Sequence, residues 1–290
     1  MRPPGVTIMK KSTKLMAGFA LADLVLWIAL SPRFATRLYH SKLFKSNGVR
    51  GSMDLVRQYD EVETSPIDFQ AKDGTPLRGW LYKHPTSKKV FIYNQGRSSD
   101  LGKALNYAKV MLAAGASVFS YEYRGFGDTP GEPSVVGICE DGLTAYDYVV
   151  EQLGYEPEDI IIYGESLGAG VAAYVSERRK AAGLVLQSGF ASLERIGKDM
   201  FAALRVYPSW LFPRPKLDNA RAVTKNHPPL LVIHGVHDEV IPVHHSRLIF
   251  DGASGSKQLV HLPNSGHTDL VEADGPAFVG ALQNFLTALA

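Results

Sequence analysis

The sequence predicts an α/β fold, with a mostly parallel central sheet and helices on both faces. Three observations carry that reading. Short, β-branched or apolar runs recur along the chain. Stretches of helical period lie between them. The runs are apolar throughout rather than alternating, as strands buried on both faces must be.

The elements follow in order. Thr64 to Ala71 and Pro76 to Tyr82 alternate around Asp73-Gly74, which is a hairpin signal. Lys89 to Asn94 reads as a buried strand, Leu101 to Ala114 as a helix, Ser117 to Tyr123 as a strand and Val135 to Leu153 as a helix. Ile160 to Tyr163 is a strand that breaks at Gly164-Glu165-Ser166-Leu167-Gly168 and enters helix formers, Ala169 to Arg178. Gly183 to Ser188 is the next strand. Two more strands end in loops, at Val232 to Asp238 and at Leu259 to His267. Pro276 to Leu289 closes the chain as an amphipathic helix, with Pro276 suited to its first turn. Between Gly189 and His227 lies the only room for a lid; its Trp210, Leu211 and Phe212 read equally as core or as an acyl-binding wall.

A chain of 290 residues buries a substantial core, and one domain of this length is ordinary. A formal net charge of +2 argues for no acidic partner, and without a basic stripe interleaved with aromatics nucleic acid is excluded. Cys139 is the only cysteine, so no intrachain disulfide forms. It reads as a small buried hydrophobe.

Residues 1–53 separate from the catalytic domain expected over 54–290, whose lid is 189–227. Leu15 to Leu30 is apolar except for Asp23 and is flanked by Lys10, Lys11, Lys14, Arg33 and Arg37. As a helix it spans about 24 Å, short of a bilayer core of roughly 30 Å. A membrane anchor through residues 15–30, a helix folded back on the domain or lying in the interface, and a cleaved signal peptide all fit. The anchor is the expectation. Basic residues at both ends leave the side of the membrane open.

Chemistry enters at the strand ends, where active residues of a parallel sheet belong. Strand, tight turn and helix around Ser166 form the context of a nucleophile elbow. Gly164 and Gly168 lack β-carbons, so strand and helix can approach closely. A serine hydroxyl needs a neighbour to take its proton. Asp238 and His267 follow on later strand ends, in the order serine, acid, histidine. Glu239 is the rival acid. His261, inside a strand, is the rival histidine. His234, His237, His244 and His245 crowd one region with no zinc spacing. Arg124 and Asp141 read as structural polar groups, and Glu165 as packing behind the elbow.

These stretches, with Gln95 to Gly102, Tyr121 to Gly127, Gly131 to Ser134 and Gly266 to Asp269, resemble the α/β-hydrolase superfamily over roughly residues 60 to 290. The nearer resemblance is to small, often membrane-anchored members that include acylglycerol lipases, lysophospholipases and protein depalmitoylases. It implies an α/β-hydrolase fold with a short lid and an N-terminal hydrophobic helix. It also implies Ser166 as nucleophile, His267 as general base and Asp238 as its orienting carboxylate. The oxyanion would be held by the backbone N–H groups of Leu167 and Arg97, with Gln95 or Gly96 as the alternative second donor. The family's usual His-Gly is Gln95-Gly96 here. The expected reaction is hydrolysis of a small-molecule or lipid acyl ester or thioester, without metal or organic cofactor. The alternatives are a serine peptidase of the same fold and a non-catalytic binding scaffold.

Overall fold

The strands inside the sheet are short buried runs whose alternate side chains enter opposite layers, whereas the two edge strands are partly exposed. The strands are β1 (Thr64–Gln70), β2 (Pro76–Tyr82), β3 (Val90–Asn94), β4 (Ser117–Glu122), β5 (Ile160–Glu165), β6 (Gly183–Gln187), β7 (Leu230–Gly235) and β8 (Lys257–Leu262). The helices are α1 (Thr36–Leu43), α2 (Leu101–Ala114), α3 (Val135–Glu151), α4 (Leu167–Ser176), α5 (Leu193–Met200), α6 (Asn219–Ala222), α7 (His244–Gly252) and α8 (Leu270–Ala288). The computed structural model describes residues 21–44, 64–97 and 101–289.

The eight strands form one sheet in the order β1-β2-β4-β3-β5-β6-β7-β8. β1 and β2 form the antiparallel hairpin at Asp73-Gly74, and β2 also pairs antiparallel with β4. From β4 through β8 every pairing is parallel. Side chains alternate across the sheet plane. Ile160, Ile162, Leu184, Leu186, Leu230 and Val232 enter one layer with α3, α4 and α7. Ile161, Tyr163, Val185, Leu231 and Ile233 enter the other, against α2 and α8. Continuous apolar strands and helices on both faces therefore have one cause.

The chain reverses direction across the sheet at β3. It steps outward through α2 to β4, then back through α3 to β5 on the other side of β3. Right-handed crossovers place α2 and α3 on opposite faces, which opens a crevice at the carboxyl ends of β3 and β5. The site described below lies there.

One expectation changes. The last helix begins at Leu270 rather than Pro276, because two helical segments join across a kink at Asp274 (φ −134°, ψ 30°). Pro276 keeps the first turn of the second segment, where its missing N–H costs nothing. Among the described residues no helix is long and apolar enough to cross a membrane. Residues 15–20 of the expected anchor lie outside the described residues; residues 21–29 are helical. One face of this stretch packs on the domain: Trp27 stacks on Tyr207, with ring centres 5.2 Å apart, and Ile28 joins Trp27 on the Leu204–Tyr207–Leu211–Phe212 cluster. Leu21, Leu24, Val25, Leu26 and Leu30 remain exposed.

β4 ends on a buried carboxyl, Glu122, which accepts the Thr129 hydroxyl proton. Burial pushes its pKa from 4.5 up to about 7, against the Thr129 and Asp128 hydrogen bonds that lower it. Between those values the native state holds more proton than the unfolded chain, so this group's contribution is lost as pH rises. We expect wild-type Tm to fall over that window and Glu122→Gln to flatten the fall. Parallel Tm-against-pH curves for the two proteins would disprove the assignment.

Candidate active site

Sterics build the elbow. β5 runs directly into α4, and Ser166 between them takes φ 53° and ψ −112°, a backbone region that side chains rarely adopt. The surroundings impose it. A β-carbon at Gly164 would lie 2.3 Å from the Gly168 carbonyl oxygen, and one at Gly168 would lie 2.0 Å from that of Asn94. Glycine is therefore required at both positions. The Ser166 N–H donates to the Gln187 carbonyl at 2.9 Å, which pins the turn to β6.

The acid arrives from β7. Asp238 Oδ1 accepts the N–H groups of Val240 (2.9 Å) and Ile241 (2.7 Å), a side-chain turn that fixes the carboxylate. Its other oxygen, Oδ2, lies 2.7 Å from His267 Nδ1. His234 Nε2 approaches the same oxygen at 3.2 Å and the Ile241 carbonyl at 2.8 Å. Both neighbours are acceptors, so His234 carries its proton on Nε2 and donates. Burial alone would raise the Asp238 pKa; the hydrogen bonds from His234 and His267 outweigh it and hold the carboxyl well below the usual range.

The histidine arrives from the loop after β8. Asp274 accepts from Asn264 N–H (2.9 Å), Asn264 Nδ2 (2.8 Å) and Ser265 Oγ (2.6 Å), while Asp269 Oδ1 accepts the Gly266 N–H at 2.7 Å. Gly235 lets this loop meet the end of β7, since a β-carbon there would sit 2.2 Å from the Gly266 carbonyl oxygen. His267 Nε2 lies 3.0 Å from Ser166 Oγ. With Nδ1–H donating to Asp238, Nε2 is left as the acceptor for the serine proton. The arrangement can thus draw a proton from Ser166 and hold the resulting imidazolium against a buried carboxylate.

The structure brings Ser166, Asp238 and His267 together in one hydrogen-bonded chain. The rivals lie elsewhere: Glu239 is exposed, and His261 Nε2 meets Ser246 Oγ at 2.9 Å. Leu167 is the first residue of α4, where the leading N–H groups have no helical partner. Gln95-Gly96-Arg97 leaves β3 beside the elbow: a β-carbon at Gly96 would lie 3.3 Å from Ser166 Cβ. The Gly96 N–H faces Glu165 Oε2 at 3.4 Å, and Tyr93 OH donates to the same oxygen. Glu165 therefore sits behind the elbow, as expected. Arg124 is tied by its side chain to Asp141 at 2.7 Å and to Asp73 at 2.6 Å, a structural network.

Sequence reasoning missed two features. His234 is fully buried against the acid; its signal was its place four residues before Asp238, on the strand that delivers it. Asp199 meets His244 Nε2 at 3.5 Å and His245 Nε2 at 3.3 Å, and the three form a group of metal-ligand type. The tautomer argues against a metal. His245 Nδ1 accepts the Ala191 N–H at 3.1 Å, which places the ring proton on Nε2, the nitrogen that a metal would need free. The same bond holds the start of the lid to α7. Within the lid, Leu211 and Phe212 are buried as a small core, whereas Trp210 is 50% exposed.

The chain as a whole is similar to known proteins. The family model described as Serine aminopeptidase, S33 matches residues 85–227. The chain is 32% identical over 226 residues to uncharacterized protein Rv2307c of Mycobacterium tuberculosis, which covers 77% of this chain and 79% of that protein. It is 28% identical over 204 residues to alpha/beta hydrolase domain-containing protein 17B of Xenopus tropicalis, covering 70% of this chain and 68% of the relative. The solved esterase Pf2001 of Pyrococcus furiosus superposes with a TM-score of 0.68 at 19% identity, over 85% of this chain and 98% of that one. At that identity the likeness is one of fold.

Proposed function

Because the chain belongs to the α/β-hydrolase superfamily, in the serine hydrolase group of acylglycerol lipase and depalmitoylase type, we propose that it cleaves carboxylic esters or thioesters through an acyl-enzyme on Ser166. The observation that carries this reading is the hydrogen-bond chain from Ser166 Oγ through His267 to Asp238, with spacings of 3.0 and 2.7 Å, at a strained elbow.

His267 Nε2 takes the hydroxyl proton as Ser166 Oγ attacks the substrate carbonyl. Asp238 keeps the ring in the tautomer that leaves Nε2 free, and stabilises the imidazolium. The negative oxygen of the tetrahedral intermediate accepts from the N–H groups of Leu167 and Arg97. The Gly96 N–H is engaged with Glu165, which favours Arg97 as second donor. Removing one such donor typically costs about 2.7–4 kcal/mol of transition-state stabilisation. His267 then protonates the leaving alcohol or thiol, and water repeats the cycle on the acyl-enzyme.

The test is a p-nitrophenyl ester chain-length series on the full-length protein, with a peptide panel and a fluorophosphonate probe beside it. The expected result is ester turnover and stoichiometric labelling. The matched family's description as an aminopeptidase is the reason for the peptide panel. Peptide turnover without ester turnover would replace the esterase reading. Absence of labelling would leave a binding scaffold.

The same reading includes contact with a membrane surface through residues 21–30. Its support is the set of exposed apolar side chains Leu21, Leu24, Val25, Leu26 and Leu30, interrupted by exposed Asp23 and followed by Arg33 and Arg37. In flotation with anionic phosphatidylglycerol vesicles, the full chain is expected at the lipid layer and Leu24→Glu/Val25→Glu in the pellet fraction. Equal partition of the two proteins would refute the contact.

A further inference from the structure

His234 is a fully buried imidazole near the end of β7. Its backbone belongs to the sheet, in register with His261 of β8, whereas Asp238 stands in the turn beyond the strand. His234 Nε2 lies 2.8 Å from the Ile241 carbonyl oxygen and 3.2 Å from Asp238 Oδ2. Ile241 in turn donates its N–H to Asp238 Oδ1 at 2.7 Å. Ring, turn and carboxylate thus form one closed loop of hydrogen bonds. His234 Nδ1 is buried without a partner among the described residues, so the ring makes its polar contacts at Nε2.

A carboxylate oxygen has room for two donors. At Asp238 Oδ2 one is His267 Nδ1, at 2.7 Å, and the other is His234. Rotating the carboxyl away from His267 would also break the His234 bond and the two bonds at Oδ1. The Asp238 and His234 side chains are both 0% exposed, so bulk water cannot stand in for a lost donor. Burial favours the protonated Asp238 carboxyl, and the largest single interaction opposing it is the hydrogen bond from His234.

Resting on the esterase reading, we propose that His234 is a positioning residue for that reaction: its Nε2–H ties the Asp238 carboxylate to the sheet and holds it in line with His267 while the imidazolium forms. His234 touches neither substrate nor nucleophile. It acts through the acid alone, so its removal matters only where Asp238 is present.

The test is a double-mutant cycle in kcat on the full-length protein with a p-nitrophenyl ester. His234→Phe is expected to lower kcat on the order of 10- to 100-fold, with KM little changed, as loss of a buried bond to a charged orienting group does. In the Asp238→Asn background the same substitution is expected to cost nothing further. An equal loss in both backgrounds, or a change in KM alone, overturns the proposal. His234→Gln carries an amide donor to about the reach of Nε2, and His234→Asn stops one bond short. Gln is expected to recover most of the lost activity and Asn little. If His234→Phe does not fold, this pair decides, and equal activity of the two overturns the proposal. A readout without substrate separates it from the esterase reading: the low-field proton resonance of the His267 Nδ1–H bond, identified by its absence from Asp238→Asn. A wild-type protein that cleaves no ester ends the esterase reading, and the resonance still decides the positioning. It is expected to shift in His234→Phe and to return in His234→Gln; an unmoved resonance in His234→Phe overturns the role of His234 even if esters are cleaved.

Discussion

Ser166→Ala abolishes ester turnover and fluorophosphonate labelling while the fold persists. The expected loss in kcat is on the order of 10⁶-fold, the scale seen when a triad serine is removed and only binding and oxyanion contacts remain. The fold survives because the strain at Ser166 belongs to its backbone, at φ 53°, and alanine keeps the same β-carbon. The contacts that impose that strain, from Gly168 to Asn94 and from Ser166 N–H to Gln187, involve no serine hydroxyl. Tm is therefore expected within about 2 °C of wild type, as a loss of well under 1 kcal/mol implies for a domain of this size. Labelling of the alanine variant at the wild-type rate would move the nucleophile elsewhere and end the elbow reading.

Asp238→Asn costs on the order of 10⁴-fold in kcat, and Glu239→Gln costs little. The first figure is the consequence of a wrong histidine tautomer in this type of site. An asparagine amide facing His267 Nδ1 favours the ring with its proton on Nε2, so the nitrogen facing Ser166 Oγ can no longer accept. Glu239 is exposed and has no bond to His267, so its charge acts only through solvent. The Asp238 carboxyl, held below its usual pKa, also contributes stability above about 3.8, lost as pH falls through the depressed value. Asp238→Asn should lose that acid-side dependence along with its activity. Equal kinetic damage from the two substitutions would mean that the acid role is shared.

The elbow and the order of its partners were legible in the sequence for a local reason. A strand–turn–helix with Gly164 and Gly168 needs only neighbours within a few residues and one close strand, so its signature is contiguous. The alternation of Ile160, Ile161 and Ile162 between two apolar layers was legible likewise, because burial on both faces leaves a continuous apolar run. The Glu122 pKa was not legible. It arises from burial of the carboxyl at the end of β4, which outweighs the Thr129 hydrogen bond that lowers it.

By itself, then, the sequence determined the sheet's composition, the strand ends that carry Ser166, Asp238 and His267, and the hairpin at Asp73-Gly74. Period and turn chemistry are properties of adjacent residues. The tertiary structure supplies the physical reason for Asp238 over Glu239: the turn closed by Val240 and Ile241 aims one carboxylate at His267 and leaves its neighbour in solvent. Only the tertiary structure set His234 behind that acid and split the lid cluster into buried Phe212 and exposed Trp210. Only it joined α1 to the loop after β3 through Arg97 and Lys42. Each of these depends on segments far apart in the chain meeting across the core, and no window of adjacent residues contains that information.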